Sequence, residues 1–242
     1  MTLSVVPTRK DEAWRYSDID AVASLWPVPA AETIALASDE EREAASVIQD
    51  GISEFAIMLG AGARYDFRIL SMAERYGRVA IDVTLHEGSD FNLGVAQIAG
   101  ADATVEIVTT VRHAEPGATS RQTVRLVAAG RGTVTYLGKV AVARDAQQTD
   151  SEQDVKAMLL DRSATANAKP ELEIYADDVK CAHGCAVGEL DANALFYMKS
   201  RGLPEAEAKR MLLQAFVAGV FDGAEDGERM QALALEKLGE LV

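Results

Sequence analysis

One short run of residues holds most of the side chains that could do metal or thiol chemistry. It reads Lys180-Cys181-Ala182-His183-Gly184-Cys185 and contains both cysteines of the 242-residue chain. Thiolate and imidazole groups are ligands for zinc, copper and iron–sulfur species. A structural disulfide is not expected in a reducing compartment. The run therefore predicts a thiol and imidazole site, and the alternative is a small group of inert buried side chains.

The spacing of these residues limits the site that they can form. On a strand, Cys181, His183 and Cys185 point to one face, with roughly 7 Å between neighbours. Adjacent sulfur and nitrogen atoms can then meet on one ion, but all three side chains cannot do so on a straight strand. Two cysteines also fall short of the four thiolates of a usual closed cluster. We expect either a bend at Gly184 or a site whose remaining ligands come from another chain.

The other chemical motifs are weaker. His86 and His113 each stand next to turn residues, which predicts that both are exposed turn histidines rather than ligands. The stretch 132–140 resembles a phosphate-binding loop, but it has one residue too many and Val140 replaces the required hydroxyl. A thiol enzyme with Cys181 as nucleophile and His183 as base stays open as an alternative, although no third orienting group is evident.

The overall charge narrows the range of partners. The chain has a formal net charge of −14 and a pI near 4.7, so nucleic acid and anionic lipid are not expected to bind. No apolar segment follows Met1–Pro7 as in a secretory signal, and no run approaches the roughly 20 apolar residues of a membrane span. We expect a cytoplasmic protein whose partners are basic proteins or cations.

Three zones of the sequence form the elements that position these thiol and imidazole side chains. Residues 1–50 include an Ala/Glu-rich stretch over 30–45 and predict a short, mainly helical region. Residues 51–188 alternate apolar and polar residues between glycine-containing breaks, which predicts many short strands. An all-β sandwich, a barrel and a β-solenoid all fit this pattern. The alternation is clearest at Ile81-Val83-Leu85, Val105-Ile107, Val124-Leu126, Val134-Tyr136, Val140-Val142 and Leu172-Ile174.

Residues 189–242 change to a helical period. Asp191 suits a helix N-cap, Gly202 the position after a helix, and Pro204 the first turn of the next one. Two apolar stripes at helical spacing in this zone predict core packing, with partner docking as the alternative. One apolar stripe comprises Ala208, Met211, Leu212, Ala215, Phe216 and Gly219. The last helix carries Met230, Leu233, Ala234, Leu238 and Leu241.

The segment 169–184, Lys-Pro-Glu-Leu-Glu-Ile-Tyr-Ala-Asp-Asp-Val-Lys-Cys-Ala-His-Gly, is similar to the signature of the SufB/SufD family of iron–sulfur cluster assembly proteins. Segments 145–150, 158–161, 187–191 and 195–202 fit the same family, and residues 7–16 resemble its opening segment. The resemblance is strong over about 120–222 and 7–18. The Lys-Cys-x-His-Gly run is similar to SufD-type rather than SufB-type chains.

This resemblance implies a mainly β fold. Its core would be a right-handed parallel β-helix over 51–188, with a short helical N-terminal region over 1–50 and a helical C-terminal domain over 189–242. It also implies a scaffold without catalytic activity, which pairs with SufB through the β-helix and binds the SufC ATPase through its C-terminal helices. ATP-driven dimerisation of SufC would then distort the SufB–SufD interface.

The resemblance assigns roles to particular residues. His183, with Cys181 beside it, would lie at the SufB interface and share a metal there, while Cys185 receives no role. No cofactor would be bound permanently, and the cargo would be transient iron or a nascent Fe–S cluster. The expected contact with SufC comprises Met211, Leu212, Ala215 and Phe216. A homo-oligomeric structural solenoid, paired with itself as a homodimer, is the remaining alternative.

Overall fold

The structure, a computed structural model, describes residues 5–242 and consists mainly of β-strands that alternate between two parallel sheets. The strands are β1 Glu32–Leu36, β2 Glu41–Ile48, β3 Gly51–Leu59, β4 Arg64–Met72, β5 Tyr76–Leu85, β6 Asp90–Ala99, β7 Thr104–His113, β8 Thr119–Ala128, β9 Thr133–Val142, β10 Asp150–Leu159, β11 Thr165–Ile174 and β12 Lys180–Glu189.

The strands stack as a parallel β-solenoid with two strands in each turn. One sheet has the order β1-β3-β5-β7-β9-β11, and the other has the order β12-β10-β8-β6-β4-β2. Pairing is in register from turn to turn, so Asp90 lies beside Thr119, which lies beside Asp150. The solenoid prediction is confirmed, and the sandwich and barrel alternatives are wrong.

The interior between the two sheets is a continuous apolar core. Inward side chains alternate with outward ones along each strand, as the period-two pattern predicted. Near the N-terminal end the core is filled by aromatic rings. Phe55 and Phe67 meet edge to face at 5.3 Å, and Tyr65 stacks on Phe67 at 5.5 Å.

The predicted helical N-terminal region is only partly helical. A 3₁₀ helix over Glu12–Trp14 and the helix α1, Ile19–Ser24, are the helical elements before residue 50 among the described residues. The stretch 30–45, expected to be helical, instead lies mostly in β1 and β2, so the solenoid begins well before residue 51. Strand pairing and the burial of Ile34 and Leu36 outweigh the helix propensity of Ala and Glu. Residues 1–4 of the predicted region lie outside the described residues.

Three helices follow β12: α2 Ala192–Ser200, α3 Glu205–Ala218 and α4 Gly227–Gly239. Asp191 caps α2 as predicted, since its carboxylate accepts from the backbone N–H groups of Asn193 and Ala194. Helices α3 and α4 pack on the outer face of the even-numbered sheet. Because they share a buried cluster with that sheet, the structure does not show a separate helical domain. The cluster contains Leu70, Ala96, Ile98, Val127, Leu213, Val217, Met230, Ala234 and Leu238. Across residues 5–242, every helix is too short or too polar to span a bilayer.

Candidate functional site

The predicted site lies at an open end of the solenoid. Strand β12 is the edge strand of its sheet, and β11 is the edge strand of the other sheet at the same end. Within residues 5–242, β12 pairs with β10 on one side only, and nearly all of its residues are exposed. The backbone N–H and C=O groups along the outer edge of β12 are therefore free to pair with another strand.

The register of β12 on β10 shows where the candidate ligands point. Cys181 lies beside Ser151 and His183 beside Gln153, while Cys185 pairs with Val155. Paired residues of parallel strands point to the same face. Ser151 and Gln153 are buried inside the solenoid, and Cys181 packs against the interior core. The three candidates therefore share the inner face of β12, as their spacing predicted.

The strand stays straight where a bend would have been needed. β12 runs unbroken from Lys180 to Glu189, and Gly184 keeps its register opposite Asp154. Among the described residues, no three His, Cys, Asp or Glu side chains converge closely enough to hold a metal ion. The spacing had predicted either a bend at Gly184 or a site completed by another chain. The bend is wrong, and the second alternative stays a prediction.

Both cysteines are free thiols with reduced acidity. Burial raises the pKa of Cys181, the negative charge of Asp150 raises it further, and the backbone N–H of Ser151 offsets part of this rise. Burial also raises the pKa of Cys185, whose Sγ lies 3.9 Å from the backbone oxygen of Ala168. Thiols of raised pKa stay protonated at neutral pH, which argues against a nucleophilic thiolate at Cys181.

A row of polar side chains continues from Cys181 into the interior. Ser151 Oγ lies 2.9 Å from Ser120 Oγ, which in turn lies 3.0 Å from His113 Nε2. The prediction that His113 is an exposed turn residue is wrong. It is the last residue of β7 and is fully buried, and this burial lowers its pKa to about 4. The odd-numbered residues of β7 point inward, and His113 continues that alternation. The sequence prediction relied on the turn that follows His113 and did not extend the alternation to this residue.

A second polar row lies beneath His183. The hydroxyl of Tyr136 lies 3.1 Å from Gln122 Oε1 and 3.0 Å from Gln153 Nε2, and Thr109 joins the group. Gly138 leaves the space that this phenol occupies, since a Cβ atom there would lie 2.1 Å from the Tyr136 hydroxyl. Sequence reasoning missed Gln122 and Gln153 because both stand in polar runs at the starts of β8 and β10, Thr-Ser-Arg-Gln-Thr and Asp-Ser-Glu-Gln-Asp, which look like solvent-exposed segments.

The predicted partner face on α3 is divided between surface and core. Met211 and Ala215 are exposed, whereas Leu212 is half-buried. Phe216 packs against the cluster under the helices, with the Arg125 guanidinium 6.0 Å from its ring centroid. The side of α3 that faces the sheet is formed by Ala208, Leu213 and Val217.

The remaining features lie in a turn and on α2. His86 begins a turn as expected, but its side chain is half-buried rather than exposed, with Nδ1 3.2 Å from Glu115. On α2, Phe196 and Tyr197 are exposed, and sequence reasoning did not single them out.

Comparisons with known proteins agree with this architecture. The family model described as "SUF system FeS cluster assembly, SufBD core domain" matches residues 43–216. The iron–sulfur cluster assembly protein SufD of Escherichia coli is 36% identical over 127 residues, which cover 52% of this chain and 30% of the relative.

Two further relatives show the same pattern of coverage. A SufBD family protein of Synechocystis is 30% identical over 173 residues, which cover 71% of this chain and 38% of the relative. The chloroplastic protein ABCI7 of Arabidopsis thaliana is 34% identical over 169 residues, covering 67% and 34% respectively. The chain thus spans about a third of the length of these relatives.

Proposed function

Since the chain belongs to the SufB/SufD family of the SUF iron–sulfur cluster assembly system, we propose that it is a scaffold subunit that completes a composite site for iron or a nascent cluster. In this proposal the metal is cargo rather than a resident cofactor, and the chain itself catalyses no reaction. His183 is the principal ligand, and Cys181 is its neighbour.

One observation carries the proposal: His183 and Cys181 face inward on an edge strand, and the described residues around them supply too few ligands to hold a metal ion. A partner strand that pairs with β12 would place its own inward side chains about 4.8 Å away, within reach of the same ion. The natural occupant is a SufB-like subunit, because the partner must also present an open end of a parallel solenoid. We take the coil as right-handed, as parallel crossovers within one sheet generally are.

The chemistry of the two ligands suits a temporary hold. Imidazole is a borderline ligand for iron. A thiol whose pKa is raised by burial, as at Cys181, must lose a proton before it can bind. Because protons compete with the metal for this sulfur at neutral pH, the apparent affinity for the metal is lowered, and cargo can leave again.

The second proposed contact is a SufC-like ATPase on the helices. Met211 and Ala215 are exposed on α3 and would touch the partner directly, while Leu212 and Phe216 support them from beneath.

The net charge of −14 disfavours nucleic acid and anionic membranes as partners. Free thiols suit a reducing compartment, and we place the protein in the cytoplasm.

The test is cluster reconstitution on the complex of this chain with its SufB-like and SufC-like partners. His183→Ala should reduce the yield of bound iron and sulfide at least tenfold, because an essential ligand is lost. Lys180→Ala is the matched control, since it is exposed on the same strand but points to the opposite face. Equal yields from the His183 variant and the control would overturn the ligand role.

The open edge of β12 also favours a homo-oligomer as a second candidate, since identical edges can pair with each other. Light scattering of the isolated chain, and then of the chain with the SufB-like subunit, separates the two. We expect the mixed complex to replace any self-paired species. A homo-oligomer that persists with excess partner would favour the structural alternative.

A further inference from the structure

A buried glutamine lies next to His183 in the solenoid wall. Gln153 has no exposed surface and is the register partner of His183 on β10. Its amide nitrogen donates to the Tyr136 hydroxyl at 3.0 Å. Its side-chain oxygen is buried and has no hydrogen-bond partner among the described residues.

The network below Gln153 decides which end of its amide is free. The Tyr136 hydroxyl donates its single proton to Gln122 Oε1 at 3.1 Å, and Thr109 donates to the same oxygen at 3.1 Å. The Tyr136 oxygen must then accept from Gln153 Nε2, which leaves Gln153 Oε1 to face a different donor. A buried carbonyl oxygen without a donor costs about 1–3 kcal/mol, so a donor on the neighbouring turn would be stabilising.

His183 is the potential donor that strand pairing places beside Gln153 Oε1. Neighbouring parallel strands lie about 4.8 Å apart, so a rotation of the exposed imidazole brings a ring N–H over the Gln153 oxygen. The flanking pairs offer no such match, since Cys181 lies over Ser151 and Cys185 over Val155. Gln153 is thus the acceptor nearest in register to the imidazole.

We infer that Gln153 is a positioning residue for His183: its side-chain oxygen accepts from one ring nitrogen and leaves the other unprotonated, with its lone pair directed at the metal. Metal-binding histidines commonly donate their second ring N–H to such an acceptor, which fixes the tautomer and the ring orientation. The inference rests on the proposed ligand role of His183 and adds the group that prepares the ring.

The test is NMR of the 242-residue chain with ¹⁵N-labelled histidine. The chain contains only three histidines, so each imidazole can be assigned by single substitution. The unsubstituted chain should show one dominant tautomer at His183. Gln153→Leu should mix the tautomers, whereas Gln153→Glu should restore the dominant one because it keeps an acceptor in place.

A Zn²⁺ titration followed on the His183 resonances supplies a second readout. Loss of such a supporting acceptor typically weakens metal binding about 10- to 100-fold, so Gln153→Leu should raise the apparent Kd for Zn²⁺ at least tenfold. Gln97→Leu is the matched control, because Gln97 is also fully buried but lies on β6, three strands away from β12 in the same sheet. It should leave both the tautomer and the Kd unchanged.

The outcomes separate this inference from the proposed function. An unchanged tautomer ratio in Gln153→Leu, or an equal change in Gln97→Leu, overturns the positioning role and leaves the ligand role standing. Normal cluster yield from His183→Ala overturns the ligand role instead. Restoration by Gln153→Glu supports the inference, since a purely structural defect would persist in that variant.

Discussion

The two ends of the solenoid share one backbone plan and differ in what fills them. The aromatic end contains Phe55, Tyr65, Phe67 and Phe91. The polar end contains His113, Ser120, Gln122, Tyr136, Ser151 and Gln153, and it leads to the open strand β12. In-register stacking repeats the wall geometry, so the two ends differ in the residues that fill the interior: packed aromatic rings at one end, and hydrogen-bonded polar side chains next to the exposed strand β12 at the other.

Two of the three buried tyrosines sharpen this contrast. Tyr65, at the aromatic end, has a buried hydroxyl without a hydrogen-bond partner among the described residues. Tyr136, at the polar end, has its hydroxyl within 3.2 Å of Thr109, Gln122 and Gln153. The first ring acts through its apolar area, and the second organises a hydrogen-bonded network.

The largest effect should come from removing an aromatic ring. Phe67→Ala is expected to lower the free energy of unfolding by about 3–5 kcal/mol, because it leaves a cavity in a tightly packed core. Chemical denaturation followed by circular dichroism measures this loss. Met58→Ala, on the exposed side of β3, is the control and should cost less than about 1 kcal/mol. Similar losses in both variants would contradict the description of a tightly packed aromatic core.

Acid should act on the polar end through His113. Burial lowers its pKa to about 4 in the fold from the ordinary value of 6.5, so below pH 6.5 the unfolded chain binds a proton that the folded chain does not. At neutral pH neither state is protonated, and His113 has no effect of this kind on stability. It should remove about 3 kcal/mol of stability as the pH falls from 6.5 to 4. Denaturation of His113→Gln and of the unsubstituted chain across this pH range isolates the contribution of His113 to the free energy of unfolding. Parallel curves of stability against pH would rule that contribution out.

The tyrosine pair tests the contrast directly. Tyr136→Phe should cost about 1–3 kcal/mol, since it leaves Gln153 Nε2 without its acceptor and removes one of the two donors to Gln122 Oε1. Tyr65→Phe should be neutral or slightly stabilising, because it removes a buried hydroxyl that has no hydrogen-bond partner within residues 5–242. Urea midpoints of the two variants give the comparison. Equal costs would remove the distinction between the ends.

The smallest effect on stability should accompany the largest effect on function. His183→Ala should change the free energy of unfolding by less than about 0.5 kcal/mol, because the imidazole is exposed at the open end and, once it is removed, water can donate to Gln153 Oε1 in its place. Thermal and chemical unfolding of the isolated variant check this value. A loss of several kcal/mol would mean that His183 serves the fold, and the reconstitution result would then need a different explanation.

Much of the strand zone could be predicted, but the solenoid was identified only through family resemblance. The repeat of the fold is present in the sequence, because hydrogen-bonded side chains on adjacent turns are 26–32 residues apart. Its turn residues Gly62, Gly88, Gly117 and Gln148 all adopt positive φ, once per turn. The last of these is not glycine, and the first interval is shorter, so the glycine breaks look irregular.

The N-terminal boundary and the polar interior could not be predicted in the same way. In β2, the residues 41–48 have a helix-forming composition and become a strand only because β4 offers a partner beside them. Gln122 and Gln153 stand in polar runs at the starts of β8 and β10, so the sequence does not distinguish them from solvent-exposed residues. Their network exists only after the two sheets bring β8, β9 and β10 together. By contrast, the shared face of Cys181 and His183 follows from spacing alone.

The close approach of Tyr136 to Gly138 makes these two positions interdependent. The phenol occupies the volume that any side chain at 138 would need, so a larger residue there requires a smaller one at 136. Among sequences of the family, the two positions should therefore covary. Lineages that lose the tyrosine are free to fill position 138, and with it they give up the hydroxyl that orders the interior amides.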